Sequence, residues 1–184
     1  MKNQLALFDL DGTLYDTRYV NYYSYKKALQ SLGSNIDFDY FARECNGRHY
    51  TYFLPKIVDT KHIETVHTLK KDCYSQFLHT AIENKHLFSI IESIRSEYYT
   101  AVVTTASRKN CTELLKSFDR ENLFDLIITQ ENITKTKPDP EGFLLAMNHF
   151  SVTSDNTIIF EDSEVGIIAA QKTGATVFVV RGFS

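Results

Sequence analysis

Short segments of nearly continuous Val, Ile, Leu, Ala and Phe recur along the chain at residues 5–8, 101–104, 126–129, 158–160 and 176–180. A strand with one face in water alternates apolar and polar residues, whereas a strand covered on both faces is apolar throughout. The five segments therefore predict buried strands of a parallel sheet.

Helical candidates lie between these strands, at residues 109–118, 140–150 and 163–173. The last of them ends just before Gly174, and glycine is typical immediately after the final turn of a helix. Alternating strands and helices predict right-handed crossovers and an α/β fold. We expect a Rossmann-like parallel sheet covered by helices on both faces, in three layers.

Residues 15–85 interrupt this alternation. They contain no convincing strand but several amphipathic segments, at 23–32, 38–44 and 63–82. Connections in compact α/β units usually have about 2–6 residues. The long interruption therefore predicts an inserted all-helical cap domain over residues 15–85, and a discontinuous core in which residues 1–14 join residues 86–184.

Composition narrows the class of protein. The chain has 184 residues, 43% of them apolar, and a formal charge of -3, which fits a globular protein and favours neither nucleic acid nor an anionic membrane as partner. Cys45, Cys73 and Cys111 lack CxxC spacing, so we expect no disulfide or zinc site, and the apolar N-terminal segment is too short for a signal peptide. We therefore predict a cytoplasmic monomer or weak dimer that acts on a small molecule.

Polar residues follow the predicted strands. Ligands bind beyond the carboxyl ends of strands in open parallel sheets. Those positions here hold carboxylates, hydroxyls and one amine: Asp9, Asp11, Thr104, Thr105, Lys137, Glu161 and Asp162. Clustered carboxylates repel one another unless a hard cation lies among them, and such oxygen ligands suit Mg²⁺. A phosphate group is a fitting ligand for the metal, the amine and the hydroxyls together.

Each of these residues also has an ordinary structural explanation. An Asp-x-Asp-Gly segment is often a turn or a calcium loop, although Tyr15, Arg18 and Tyr19 stand where a calcium loop needs further acids. Threonines are common in strands, a loop lysine is usually solvated, and Glu161 with Asp162 suits the start of a helix. The aromatic residues of the cap, at helical spacing, are most often core.

Four segments in this order resemble the motifs of the haloacid dehalogenase superfamily, in its phosphatase and phosphomutase branch with a helical cap. They are "FDLDGTL" (8–14), "VVTTAS" (102–107), "KTKPDP" (135–140) and "IIFEDSEVGIIAA" (158–170). The first is specific by itself, and the others become specific through their order. The resemblance covers nearly the whole chain.

The resemblance implies that Asp9 is a nucleophile that forms an aspartyl phosphate and that Asp11 is the general acid and base. It implies that Mg²⁺ is held by the Asp9 side chain, the Asp11 carbonyl and Asp162, with Glu161 binding the metal through water or contacting the residues that hold it. Lys137 matches the lysine of the third motif, and Lys135 replaces it only if the loop runs differently.

For the residues that contact the phosphate, the sequence leaves alternatives open. Thr104 is the preferred phosphate-binding hydroxyl, but a shift of one residue selects Thr105. Gly12 permits a tight turn close to the substrate, and Ser107 lies at the start of a helix, where an anion is well placed. In capped relatives a glycine-led loop faces the site, which makes Arg48 of "NGRHY" (46–50) a candidate for contact with a substrate anion.

The predicted function is a Mg²⁺-dependent phosphatase of a small phosphorylated metabolite. A phosphosugar mutase resembling β-phosphoglucomutase is the alternative, although the cap-hinge histidine of those mutases falls on Asn21 here. Dehalogenation is disfavoured because that branch lacks the second aspartate, which is present as Asp11. A binding module on an inactive enzyme fold is disfavoured because every expected site position has a competent residue.

Overall fold

A five-stranded parallel sheet forms the centre of the α/β part of the chain. The computed structural model describes residues 2–183. The strands of the sheet are β1 Gln4–Phe8, β4 Tyr98–Val103, β5 Leu126–Ile128, β6 Thr157–Glu161 and β7 Thr176–Val179. Their order in the sheet is β5-β4-β1-β6-β7. All five correspond to predicted strands, so the α/β fold is confirmed.

The register brings the carboxyl ends of the central strands together. Phe8, the last residue of β1, is paired with Val102 of β4 and with Phe160 of β6. The residues that follow β1 and β4, and the last residue of β6, therefore lie at one edge of the sheet. This is the edge at which the sequence predicts a site.

Four helices accompany the sheet: α5 Lys85–Ile94, α6 Arg108–Ser117, α7 Glu141–Phe150 and α8 Glu164–Gln171. The last three were predicted to within a few residues. Helix α5 was not predicted, although Leu87, Phe88 and Ile91 form a buried stripe at helical spacing. Its N-terminus is capped by Asn84, whose side chain accepts a hydrogen bond from the Leu87 N–H.

The two faces of the sheet are covered by different residues because side chains alternate along a strand. Leu5 and Leu7 of β1 lie in a core cluster together with residues of α7 and α8. Phe8 stacks on Phe160 at a centroid distance of 4.9 Å and meets Phe124 edge-on. Burial on both faces explains why the central strands β1, β4 and β6 are almost entirely apolar. The prediction of burial is wrong for the edge strand β7, where Phe178 is 48% and Val179 43% exposed, because an edge strand has a neighbour on one side alone.

A two-stranded antiparallel ribbon lies at the ends of the segment predicted as a cap. It consists of β2 Tyr15–Asp16 and β3 Ile82–Glu83, so the segment is not helical up to its ends. Arg120 holds the ribbon by donating Nε to Glu83 Oε1 at 2.6 Å, and its guanidinium lies over the Phe88 ring. Strands of two residues leave no periodic signal in a sequence.

The chain divides into two compact units. One comprises the chain up to Asp16 and from Ile82 onward, and the other comprises Thr17–Ala81. The second unit, here called the helical unit, contains α1 Arg18–Gln30, α2 Phe38–Tyr40, a π-helical turn Phe41–Cys45, α3 Tyr50–Phe53 and α4 Ile63–Cys73. Short 3₁₀ segments follow at Leu54–Lys56, Thr60–His62 and Tyr74–Thr80.

Aromatic residues form a large part of the core of the helical unit. Tyr22, Tyr25, Phe41 and Phe53 are buried there with Leu29, Leu54 and Val66. Tyr25 meets Phe53 edge-on at 5.1 Å, the geometry that aromatic pairs prefer. Tyr52, by contrast, is 53% exposed.

Two further features concern the helices and the cysteines. None of the helices formed by residues 2–183 has the length and apolar character needed to cross a bilayer. The three cysteines carry free thiols.

Candidate active site

The segment after β1 forms a tight turn at the carboxyl edge of the sheet. The Asp9 N–H still donates to the Phe160 carbonyl at 3.0 Å, and the Gly12 N–H donates to the Tyr15 carbonyl at 2.7 Å. Gly12 has φ +98°, a conformation that favours glycine. Asp9 is only 7% exposed, and Asp11 is half-buried in the turn.

Lys137 reaches Asp9 from a loop between β5 and α7. Its ammonium donates to Asp9 Oδ1 at 2.5 Å, to Glu161 Oε1 at 2.5 Å and to the Val103 carbonyl at 3.2 Å. The Glu141 carboxylate orders this loop by accepting hydrogen bonds from the backbone N–H groups of residues 134 and 135. Three parts of the chain that are distant in sequence thus meet at one ammonium group.

The structure distinguishes the two lysines of the loop. The Lys137 side chain is 9% exposed, whereas the Lys135 side chain is 72% exposed and lies 4.0 Å from Asp139. Lys137 is therefore the lysine at Asp9, as the sequence predicts.

Glu161 ends β6 and is completely buried. Its Oε1 accepts from Lys137, and its Oε2 accepts from the Asp162 N–H at 2.9 Å, the Ser163 N–H at 3.0 Å and the Ser163 hydroxyl at 3.1 Å. Each carboxylate oxygen therefore has protein donors. Ser163 in turn caps α8 by accepting from the Gly166 N–H at 3.1 Å.

Asp162 faces the turn after β1. Its Oδ1 accepts from the Thr13 hydroxyl at 2.8 Å. A Cβ atom on Gly12 would overlap the Asp162 carboxyl group, so glycine is required there for space as well as for φ. This contact joins the turn after β1 to the end of β6.

Asp9, Glu161 and Asp162 form a group of carboxylates suited to a metal ion. One oxygen of each residue lies within 4.8 Å of the others. Hard divalent cations prefer such oxygen ligands. The donor set therefore fits a divalent metal.

The pKa values of these residues are set by burial and by the positive charge of Lys137. Burial raises the pKa of Asp9 well above its ordinary value, Glu161 and Asp162 raise it further, and Lys137 opposes the shift. Burial alone would lower the pKa of Lys137, but Asp9 and Glu161 outweigh it and raise that pKa. Burial also raises the pKa of Asp162 to about 6, with the Thr13 hydrogen bond in opposition. Additional positive charge at this place would therefore favour the ionised forms of Asp9 and Asp162.

The hydroxyl candidates have different surroundings. Thr104 is 2% exposed, and its hydroxyl accepts from the Ala106 N–H at 3.0 Å, whereas Thr105 is exposed. Both line a small cleft with Lys137. Ser107 is buried and caps α6 by accepting from the Asn110 N–H at 3.3 Å, so its hydroxyl has a structural role.

Arg48 belongs to the helical unit. Its guanidinium lies 3.5 Å from Glu44 and 4.9 Å from the centroid of the Tyr52 ring. The side chain is 42% exposed. It therefore retains access to an anion in solution.

Two contributions to the site were not predicted. The Val103 carbonyl accepts from Lys137, but a backbone acceptor leaves no signal in the residue type. Gly166 lies against the Glu161 carboxyl group, and its only signal is a glycine within a predicted helix.

Comparison with known proteins identifies the family of the chain. A family model of haloacid dehalogenase-like hydrolases matches residues 6–180. A phosphorylated carbohydrates phosphatase of Thermotoga maritima is 28% identical over 180 residues, which cover 93% of this chain and 82% of that protein.

Solved structures have the same fold. CbbY of Rhodobacter sphaeroides in complex with phosphate superposes with a TM-score of 0.85 at 22% identity, covering 100% of this chain and 88% of that one. A Thermotoga maritima protein assigned provisionally as a β-phosphoglucomutase gives a TM-score of 0.76 at 25% identity, covering 98% and 87%. The match to the family model extends over almost the entire sequence and includes the carboxylates and the lysine that meet at the edge of the sheet. The chain therefore belongs to the haloacid dehalogenase-like hydrolases.

Proposed function

We propose that this enzyme is a Mg²⁺-dependent phosphatase that hydrolyses a small phosphorylated metabolite through an aspartyl phosphate on Asp9. The observation that carries the proposal is the contact of one buried ammonium, that of Lys137, with both Asp9 and Glu161 at 2.5 Å. Such a group offsets the negative charge that a phosphate brings to a cluster of carboxylates. The relative from Thermotoga maritima, whose name specifies phosphorylated carbohydrates, supports a sugar phosphate as the substrate class.

In the first step a carboxylate oxygen of Asp9 attacks phosphorus, and the bond between phosphorus and the alcohol oxygen breaks. Asp11 donates a proton to the departing alkoxide. In the second step Asp11 takes a proton from water, the water oxygen attacks phosphorus, and the bond to Asp9 breaks. The products are an alcohol and inorganic phosphate, and both aspartates return to their starting forms.

Lys137 has two functions in this scheme. It holds the Asp9 carboxylate in one orientation through Oδ1, and it provides positive charge beside the oxygens of the transferring group. Its three acceptors fix the ammonium in place before substrate binds.

We infer that Asp9 and Asp162 hold the metal with their side chains, and Asp11 with its backbone carbonyl. Glu161 was a candidate ligand in the sequence, but its oxygens already accept four hydrogen bonds, which favours an indirect role. When bound, Mg²⁺ supplies positive charge that stabilises the phosphoryl group during transfer.

Thr104 and Thr105 remain the two candidates for the hydroxyl that binds phosphate. The exposure of Thr105 favours it, because the Thr104 hydroxyl is buried and already accepts the Ala106 N–H. A phosphate at this place would also lie near the N-terminus of α6, whose backbone N–H groups attract anions.

We propose that the helical unit acts as a cap that selects the substrate, with Arg48 as a contact for a substrate anion. Closure of such a cap excludes water from the reacting groups, and reopening releases the product. The free thiols support a reducing compartment, and we place the enzyme in the cytoplasm.

A phosphosugar mutase is the second candidate, since a structural neighbour is provisionally assigned that activity. Asn21 occupies the position at which the resemblance implies the histidine of the mutases. Its side-chain amide donates to the carbonyl and the hydroxyl of Thr17, both at 3.2 Å. An amide cannot relay protons as imidazole does, which favours hydrolysis.

The test is turnover of p-nitrophenyl phosphate with Mg²⁺, followed by a panel of sugar phosphates. Asp9→Asn should lower kcat by at least about 10³-fold because the nucleophile is lost. The matched control is Asp155→Asn, which changes an exposed aspartate and should keep full activity. Undiminished turnover by Asp9→Asn would refute the proposal, and conversion of a sugar phosphate to its isomer without release of phosphate would favour the mutase.

A further inference from the structure

Gly166 lies in the first turn of α8 and is buried against the end of β6. A Cβ atom built on Gly166 would overlap the Glu161 carboxyl group, including its carbon and both oxygens. The carboxyl group therefore occupies the space that any other residue at position 166 would fill.

The backbone does not explain the glycine. Gly166 is absent from the glycines with positive φ, which are Gly12, Gly33, Gly47, Gly174 and Gly182. Glycine is the poorest helix former apart from proline, so its presence inside α8 is locally unfavourable. We attribute the glycine to the space that its missing side chain leaves for the Glu161 carboxyl group.

Glu161 cannot easily move away from this contact. It is completely buried, and one of its oxygens accepts three hydrogen bonds from the two residues that follow it. Moving the carboxyl group would leave those donors or the Lys137 ammonium without their acceptor, and buried groups without partners are costly.

We propose that Gly166 is a positioning residue for catalysis. It leaves a slot in α8 for the Glu161 carboxylate, and that carboxylate places the Lys137 ammonium against Asp9. Gly166 touches no reacting atom and acts through Glu161 alone. The inference rests on the proposed role of Asp9 as the nucleophile.

The test is a double-mutant cycle of Gly166→Ala and Glu161→Ala, with kcat, KM and melting temperature measured for all four proteins. Gly166→Ala should lower kcat at least tenfold with KM within about threefold, and it should lower the melting temperature despite the better helix propensity of alanine. In the Glu161→Ala background the slot is empty. There, Gly166→Ala should change kcat by less than about twofold and should leave the melting temperature equal or higher.

A structural role of Gly166 that is independent of Glu161 predicts the same loss in both backgrounds, and that result would overturn the inference. So would a Gly166→Ala enzyme with the wild-type kcat. If Gly166→Ala does not fold, a folded double variant supports the slot and an unfolded one overturns it. An inactive wild-type enzyme would overturn the proposed function and this inference with it, whereas an active wild type with an unaffected Gly166→Ala variant overturns this inference alone.

Discussion

Replacing Lys137 by methionine tests the electrostatic centre of the site. The substitution keeps an unbranched side chain of similar length but removes the ammonium that contacts Asp9 and Glu161. Both carboxylates are then buried near each other without their common cation, and removal of one partner from a buried ion pair costs about 3–5 kcal/mol.

The loss of stability has an upper limit, because a buried carboxylate without its cation can become neutral by binding a proton. Protonating a carboxyl group of ordinary pKa 3.8 costs about 4 kcal/mol at pH 7 and about 2 kcal/mol at pH 5. We therefore expect Lys137→Met to lower the free energy of unfolding by up to about 4 kcal/mol at pH 7.

The pH dependence has a definite sign. Lys137 opposes the rise in the pKa of Asp9 that burial causes, so its removal raises that pKa further. A carboxyl group with a raised pKa in the folded state binds more protons there than in the unfolded chain, and its stability contribution falls as pH rises. The loss caused by Lys137→Met should therefore be smaller at pH 5 than at pH 7.

The assay is urea denaturation in EDTA at both pH values, followed by turnover with Mg²⁺. Lys135→Met is the matched control, because its exposed side chain should contribute less than about 0.5 kcal/mol. Lys137→Met should also lower kcat by at least about 10²-fold. Equal stability of the two variants, or a larger deficit at pH 5, would refute the electrostatic reasoning.

Two further predictions concern the metal site and the helical unit. Gly12→Ala should weaken Mg²⁺ binding at least tenfold by displacing Asp162, measured by calorimetric titration, and an unchanged affinity would contradict the close contact. Burial, with Lys71 and Lys70 nearby, lowers the pKa of His67 to about 4, so the unfolded chain binds a proton first as pH falls below about 6.5. His67 should therefore lower the free energy of unfolding by about 1 kcal/mol between pH 7 and pH 4.5, after allowance for its partial exposure. The variant His67→Phe keeps a ring against Tyr50 but cannot bind a proton. In urea titrations it should lack this part of the loss. Identical pH profiles for His67→Phe and the wild type would refute this assignment.

The local pattern of apolar and polar residues was enough to predict most of the α/β fold. Strands buried on both faces are almost entirely apolar, and this signal predicted the central strands β1, β4 and β6. The edge strand β7 was located by the same apolar pattern, but its predicted burial was wrong because β7 lies at the edge of the sheet and is mostly exposed. The strand boundaries were less certain, since β4 and β5 end at Val103 and Ile128 while β6 continues to Glu161. The β2–β3 ribbon was missed because two-residue strands have no period.

For the candidate site as well, some features could be predicted from the sequence and others could not. The sequence alone indicated Asp9, Lys137, Glu161 and Asp162, because each follows or ends a predicted strand or lies in a loop beyond one. It did not decide how the two oxygens of Glu161 are used or how far each threonine is exposed. Glu161 Oε1 meets Lys137, which is 24 residues away in sequence, and the exposure of the threonines also depends on packing between distant segments.

Gly166 is the clearest case of what only the tertiary structure decided. In the sequence it is a glycine that weakens a predicted helix, and helix propensity alone favours alanine there. In the folded chain that position meets a buried carboxylate from the preceding strand. Propensity acts between neighbours along the chain, whereas the space available to a side chain is set by every segment that packs around it.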